Sequence, residues 1–463
     1  MRMILADLRG RGGIVTKDTV VGGYGSRLTP FSKVTRIVGR FKHRFHDVPS
    51  VTMGYLGALL AADGHEVRST RGSIVDGDVA VVLSSLVDYR HETSWARRMR
   101  ERGVRVGFVG LAASKLPELF LPHADFVVTG EPEEAIRRLS QGERLAGVCP
   151  SEPVPDLDAL PFPRWDLVTD RPSHAVGVPF SGRPLGGGFP LLASRSCPEF
   201  CTYCPHRVLA PYRSRSVANV VDELEQLSDR YHKPYVIFRD PLFTQDRERC
   251  EELCQEIRRR RLRLRFECET RLDRLDPALI DVLYAAGLRT VSFGVESVSA
   301  ATLKRVGRRP TPETHQRTIV EHCHRRGIVT AAFYVLGFLD DDRDSIAATI
   351  DYAADLGSTF AQFKLLTPYP ATPLWKKMAP LVTEQDWERF DGYTPVFSHP
   401  HLSGAELRLL LGAAYTRFYM RPSYPARYLR VRNRRVLDVL THLDHRVAQR
   451  QERALLDMMS AAC

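Results

Sequence analysis

Between residues 188 and 370 of this 463-residue chain, apolar runs alternate with helical segments six times. "PLLASRSC", "YVIFRD", "LRFECETR", "TVSFGVES", "VTAAFYVLGFL" and "AQFKLLTPYP" read as strands. "SVANVVDELEQLSDRY", "RERCEELCQEIRRRR", "DPALIDVLYAAG" and "RDSIAATIDYAADLG" read as helices between them. Strands that are apolar throughout, joined by helices, belong to a parallel sheet. Six such units in line predict a partial (β/α)6 barrel, built on the logic of the eightfold one. Asp276 and Pro277 supply a cap and a first-turn residue for one of its helices.

A shorter βα series precedes the barrel. "DVAVVLSSL", "VRVGFVGL" and "ADFVVTG" read as buried parallel strands, and "ETSWARRMRERG" and "EPEEAIRRLSQG" as helices. The chain is therefore expected to be α/β in four parts. Residues 1–150 form a Rossmann-like domain, and 151–187 a proline- and glycine-rich linker. Residues 188–380 form the barrel, and 381–463, where the alternation stops, a mostly helical region. "GGYGSRL" does not make a dinucleotide fingerprint, because Leu28 takes the third glycine position and "TP" follows. It reads as a surface loop.

Composition narrows the class. Apolar residues make up 43%, enough for a real core, and no apolar run nears the roughly 20 residues of a membrane helix. The start, "MRMILADLRGRGG", is too short in its apolar part for a signal peptide, so a cytoplasmic protein is expected, with no membrane contact. Net charge is +11, but the basic runs are scattered and read as solvated helix faces, with no nucleic-acid partner. Nine cysteines, an odd number, argue against a disulfide framework. Cys250 and Cys254, four apart on a helix, read as packing thiols.

"SRSCPEFCTYCPHR" sets Cys197, Cys201 and Cys204 at the end of the first barrel strand, where such barrels carry their chemistry. Three thiols with His206 close by suit a Cys3His zinc site and a non-enzymatic binding module. Three thiols also suit a [4Fe–4S] cluster with one iron left open.

CxxxCxxC after the first strand of a six-unit barrel resembles the radical S-adenosylmethionine (SAM) superfamily. The resemblance implies a [4Fe–4S] cluster on Cys197, Cys201 and Cys204, with SAM's amine and carboxylate on the fourth iron. Reductive cleavage of SAM then gives a 5′-deoxyadenosyl radical, and an electron donor such as flavodoxin or ferredoxin is implied. It also implies SAM contacts: Tyr203 against adenine, Asp240 near the amine, and Glu269 and Arg271 towards ribose and carboxylate. Glu269 and Arg271 share one side of their strand. Ser292, Gly294 and Glu296 resemble the family's strand-four element.

Residues 1–150 resemble, in rhythm, the cobalamin-binding domain that precedes many of these barrels. Two departures stand out. The DxHxxG histidine motif is missing, and a paired glycine is replaced by Gly110–Leu111, whose leucine would crowd a nucleotide tail. The expectation is a domain that keeps the fold and has lost cobalamin. A chain of this layout is similar to radical SAM diol dehydratases of aminoglycoside biosynthesis. That likeness implies hydrogen abstraction from an aminosugar such as paromamine and loss of water. A separate NAD(P)H-dependent reductase would act downstream. Such a polycation wants carboxylates, and the chemistry an acid and a base. Asp340, Asp341 and Asp342 are the candidates, with Tyr334 and Lys364. The alternative is cobalamin-dependent C-methylation of a natural product.

Overall fold

Both halves of the chain are built on parallel strands, because their apolar runs need cover on two faces. The structure, a computed structural model, describes residues 1–10, 14–17, 23–30, 35–36, 48–168, 188–231, 233–425 and 428. The glycine-rich stretch 181–187 and the basic run "LRVRNRR" lie outside the described residues.

The first half runs β1 (Arg2–Ala6), an antiparallel hairpin β2–β3 (Ile14–Thr16, Ser26–Leu28), α1 (Val51–Ala62), β4 (Glu66–Thr70) and β5 (Val79–Leu83). It continues with α2 (Tyr89–Arg100), β6 (Arg105–Val109), α3 (Leu111–Lys115), β7 (Phe126–Gly130), α4 (Pro132–Ser140) and β8 (Gly147–Ser151). The sheet order is β4-β1-β5-β6-β7-β8, all parallel. The winding direction reverses between β1 and β5. In open α/β sheets, ligands bind at the carboxyl ends of strands around such a switch point.

The second half begins with β9 (Phe189–Leu191), then a two-residue ladder β10–β11 (Ser194–Arg195, Arg213–Ser214). There follow α5 (Val217–Arg230), β12 (Tyr235–Phe238), α6 (Arg247–Arg259), β13 (Arg265–Thr270), α7 (Pro277–Ala286) and β14 (Leu288–Glu296). The half ends with α8 (Ala300–Arg305), α9 (Glu313–Arg325), β15 (Val329–Leu336), α10 (Arg343–Leu356), β16 (Phe360–Leu365), α11 (Pro373–Met378) and α12 (Gly404–Tyr419). The sheet order is β9-β12-β13-β14-β15-β16, again all parallel. Asp276 caps α7 by accepting from Leu279 N–H, with Pro277 in the first turn.

Three details differ from expectation. Residues 23–28 of "GGYGSRL" are not a surface loop: Tyr24 is 2% exposed, stacks on Tyr369 at 5.3 Å and donates to Pro370 O at 2.7 Å. The proline-rich segment, expected as a linker packed along the surface, sends Trp165 inward. Trp165 is 3% exposed, and Gly54 makes room for it, since a Cβ there would come within 2.8 Å of Pro163. After residue 381 the described chain forms turns and one 3-10 turn, Trp387–Arg389, before its first α-helix there, α12.

The two sheets meet by their carboxyl edges. One apolar cluster takes in Leu8, Leu86 and Leu111 from the first sheet's edge, and Val306, Phe338 and Leu366 from the barrel's. A buried ion cluster fastens the halves beside it. Arg195 of β10 pairs with Glu133 at 2.7 Å and Glu131 at 3.4 Å, while Arg213 of β11 pairs with Glu131 at 2.5 Å. Arg195 also lies over the Tyr55 ring at 5.2 Å.

Burial alone would push the Glu131 carboxyl up. Its bonds and charge pairing with Arg213 and Arg195 outweigh burial and hold it below its usual 4.5. Its stabilisation is present above that value and is lost as pH falls through the lowered folded pKa. Glu131→Gln should cost about 3 kcal/mol in urea unfolding at neutral pH, because it leaves buried arginines short of a partner. The penalty should shrink as the pH of the titration drops below about 4.5.

Candidate active site

The cysteine loop hangs from the β10–β11 ladder. Ser196 turns the chain out of β10 with a left-handed φ of 68°, a conformation worth about 1–3 kcal/mol of strain in a non-glycine residue. Its hydroxyl donates to His206 O at 3.1 Å, closing the loop on itself. Cys204 N–H donates to Cys201 O at 3.1 Å, and Thr202 N–H to Val306 O at 2.9 Å. Cys197, Cys201 and Cys204 are half-buried, whereas the other described cysteines are buried. Burial raises the Cys197 thiol and pushes Cys204 up to about 12, and the thiols repel one another's charge. Cations that replace those protons would relieve this repulsion. Among the described residues, no three His, Cys, Asp or Glu side chains are arranged for a single metal ion. Thiolates on a four-iron cluster stand further apart, since each binds its own iron. Three sulfurs in one loop at the barrel mouth fit such a cluster.

Glu296 faces this loop from the end of β14. It is 9% exposed, and its φ of 67° follows a bulge in the β14–β15 pairing between Gly294 and Glu296. Bulges of this kind re-aim side chains beside functional sites. Burial raises the Glu296 carboxyl, and Arg308, Tyr203, Arg271 and Lys364 pull it back. Arg308 lies 3.5 Å from Glu296, donates to Gly294 O and reaches Cys201 Sγ at 3.9 Å. A side chain at Gly294 would have to displace the ends of Glu296 and Arg308, since a Cβ would sit 2.0 Å from Glu296 Oε1 and 2.8 Å from the Arg308 guanidinium. Tyr203 packs edge-on against Phe338 at 6.0 Å.

Alternation sorts the remaining candidates. Glu269 pairs in register with Ser292, and both are half-buried on the side of the sheet that carries Gly294 and Glu296. Arg271 holds Asp273 at 2.8 Å and Glu199, inside the cysteine loop, at 3.3 Å. Lys364 neighbours the Tyr393 ring at 5.9 Å and acts on Glu296 electrostatically. Tyr334 points the other way. It stacks on Phe363 at 5.1 Å, and Phe363 packs on Tyr415 and Phe418 of α12.

The structure gives four aspartates partners of their own. Asp240 accepts from Ala193 N–H at 3.0 Å and Ser194 Oγ at 2.6 Å, bracing the chain just before the cysteine loop. Asp340 accepts from Thr302 Oγ1 at 2.6 Å. Asp341 accepts from the N–H groups of Gly337 and Phe338, and burial pushes its carboxyl up to about 6. Asp342 caps α10 in a capping box with Ser345. The three adjacent aspartates therefore do not converge on a shared cation site. Sequence reasoning passed over Arg308, Glu199 and Arg274. Their only signal was an arginine pair after Gly307 and a glutamate between two cysteines.

The site is therefore a parallel partial barrel with three thiols at its mouth, joined by the carboxyl edge to a second parallel sheet. The profile of the radical SAM superfamily matches residues 191–353. The chain is 27% identical over 433 residues to an uncharacterized methyltransferase of Pyrococcus horikoshii, covering 84% of this chain and 91% of that protein. It is 24% identical to the bacteriochlorophyllide d C-12(1)-methyltransferase of Chlorobaculum tepidum, over 71% of this chain and 72% of that one. Identity is 26% to the anaerobic magnesium-protoporphyrin IX monomethyl ester cyclase of Rubrivivax gelatinosus, over 65% of this chain and 58% of that one. In fold it is similar to the radical SAM methyltransferase TsrM of Kitasatospora setae, solved with cobalamin and a [4Fe–4S] cluster. The TM-score is 0.62 at 17% identity, over 89% of this chain and 90% of that one. A second likeness is to the cobalamin-dependent SAM radical enzyme OxsB, at TM-score 0.58 and 14% identity, over 89% of this chain and 66% of that one. Residues 191–353 are thus those of a radical SAM protein, and the N-terminal half is like the cobalamin-holding structures in fold. The radical SAM match implies a [4Fe–4S] cluster and SAM. The relatives named here are methyltransferases and a cyclase, which leaves the dehydratase expectation without support. No helix among the described residues is long and apolar enough to cross a membrane.

Anaerobic reconstitution should load about four irons per chain. Cys197→Ala, Cys201→Ala and Cys204→Ala should each lose most of that iron and all SAM cleavage. Cys250→Ala, at a site 3% exposed and bonded to Phe243 O, should keep both and lose about 1 kcal/mol of stability. Iron assay with thermal unfolding reads both outcomes.

Proposed function

We propose that this chain is a cobalamin-dependent radical SAM methyltransferase acting on an unactivated carbon of a small natural product. The observation that carries the reading is the meeting of the two carboxyl edges. The switch point of the first sheet, where a ligand would sit, faces the barrel rim that holds the cysteines, Glu296 and Arg308 across the shared apolar cluster. Small residues follow the central strands there: Ser84 and Ser85 after β5, and Gly110, at φ 106°, after β6. Leu111 is the residue expected to obstruct cobalamin. It is 4% exposed and taken up by the apolar cluster at the start of α3, so it does not stand out from the edge. The two similar folds above carry cobalamin by name, which adds weight to the reading.

When bound, the cluster and SAM supply the 5′-deoxyadenosyl radical, and cobalamin supplies the methyl group. The chain's own residues organise the approach. Arg308 and Arg271 bring positive charge to the rim and hold the cysteine loop against β13 and β14. Tyr203 and Phe338 form an apolar wall between the cysteine loop and the end of β15. Glu296 and Lys364 set opposite charges across the open face of the sheet. An aminosugar polycation gains little from this face, since the aspartates that would attract it are engaged elsewhere.

The test needs no knowledge of the natural substrate. Protein purified anaerobically with added cobalamin should retain about one corrinoid per chain, seen in its optical spectrum. With the corrinoid reduced, SAM carrying a deuterated methyl should yield S-adenosylhomocysteine and labelled methylcobalamin in equal amounts. A chain that binds no corrinoid and dehydrates paromamine would reverse the assignment.

A further inference from the structure

We propose that the rim around Phe200 is the docking face for an acidic one-electron carrier protein that reduces the cluster. The proposal rests on the cluster reading and not on methyl transfer, so either can fail without the other.

Phe200 is 56% exposed, large and apolar, and directly precedes Cys201. The Arg207 guanidinium lies over its ring at 4.8 Å and donates to Glu199 O at 3.3 Å. Segment 304–309 is pressed against the same loop. Gly307, at φ 73°, approaches so closely that a Cβ would be 2.2 Å from Phe200 O. This segment presents Lys304, Arg305 and Arg309 to solvent, and Arg207 is exposed as well. The acidic groups nearby are already paired: Glu199 with Arg274 at 2.9 Å and Arg271 at 3.3 Å, and Asp340 with Arg305 at 3.4 Å. The result is an apolar centre with a cationic margin.

That pattern suits a brief encounter with an acidic partner. Complementary charge speeds association and sets orientation more than it adds affinity, and redox complexes use small interfaces. The site also offers a short route inward, because one peptide bond joins Phe200 to an iron ligand. The carrier loses one electron and the cluster gains it, and no bond or proton changes place.

Flavodoxin is the probe, with the cluster-loaded enzyme as its partner. Wild type should bind it at low salt, and Kd should rise steeply with salt. Lys304→Glu/Arg305→Glu/Arg309→Glu should raise Kd at least tenfold and slow cluster reduction by reduced flavodoxin to match. Reduction by dithionite should be unchanged. Phe200→Ser should weaken binding and keep the salt dependence, which separates the apolar centre from the charges. The proposal is overturned if wild type does not bind flavodoxin, or if the triple variant binds and is reduced like wild type. It is also overturned if these residues hold a duplex oligonucleotide in place of flavodoxin.

Discussion

The pairing of Arg195 and Arg213 with Glu131 and Glu133 decides how the rest of the molecule can work. The two arginines face each other across the ladder that forms the neck of the cysteine loop. The two glutamates begin α4 of the first domain. Their charges are nearly sealed from water, with side-chain exposures from 1% to 13%. A buried ion cluster is a poor source of stability against an apolar equivalent, but breaking it is expensive. Its use here is positional. The loop that carries Cys197, Cys201 and Cys204 is anchored to the domain across the rim as well as to its own barrel.

From that anchor the site follows. The two parallel sheets present carboxyl ends to each other, and the apolar cluster between them excludes water from the junction. Strain is concentrated beside it: Ser196 and Glu296 both hold left-handed backbone, one leading into the cysteine loop and one facing it. Such strain persists only where surrounding contacts over-determine the conformation. The bond from Ser196 to His206 O and the contacts of Arg308 to Gly294 and Cys201 are those contacts.

Much of this was legible in the sequence. Apolar runs with helical intervals gave away both parallel sheets, because strands buried on both faces leave unbroken apolar runs where half-buried strands leave alternation. The spacing of Cys197, Cys201 and Cys204 singled out the loop at the barrel mouth, and resemblance to a strand-four element singled out Glu296, which faces that loop. What escaped were features made by distant partners. Arg308 lies 107 residues from Cys201, and nothing local distinguishes it from other surface arginines. Tyr24 looked like loop until Tyr369 supplied its stacking partner. Leu111 was judged by what it replaced rather than by the cluster that absorbs it. Asp340, Asp341 and Asp342 were grouped by adjacency, although Asp340 accepts from Thr302, Asp341 from the backbone of Gly337 and Phe338, and Asp342 caps α10.

The central claim is that the cysteine-bound cluster and a corrinoid on the first domain face one another across the joined rim. Electron paramagnetic resonance of protein holding both a reduced cluster and cob(II)alamin tests it most directly. The account predicts that the two spins interact, splitting or broadening the cob(II)alamin signal relative to protein without a reduced cluster. An unperturbed cob(II)alamin spectrum from protein with both groups fully loaded would contradict it.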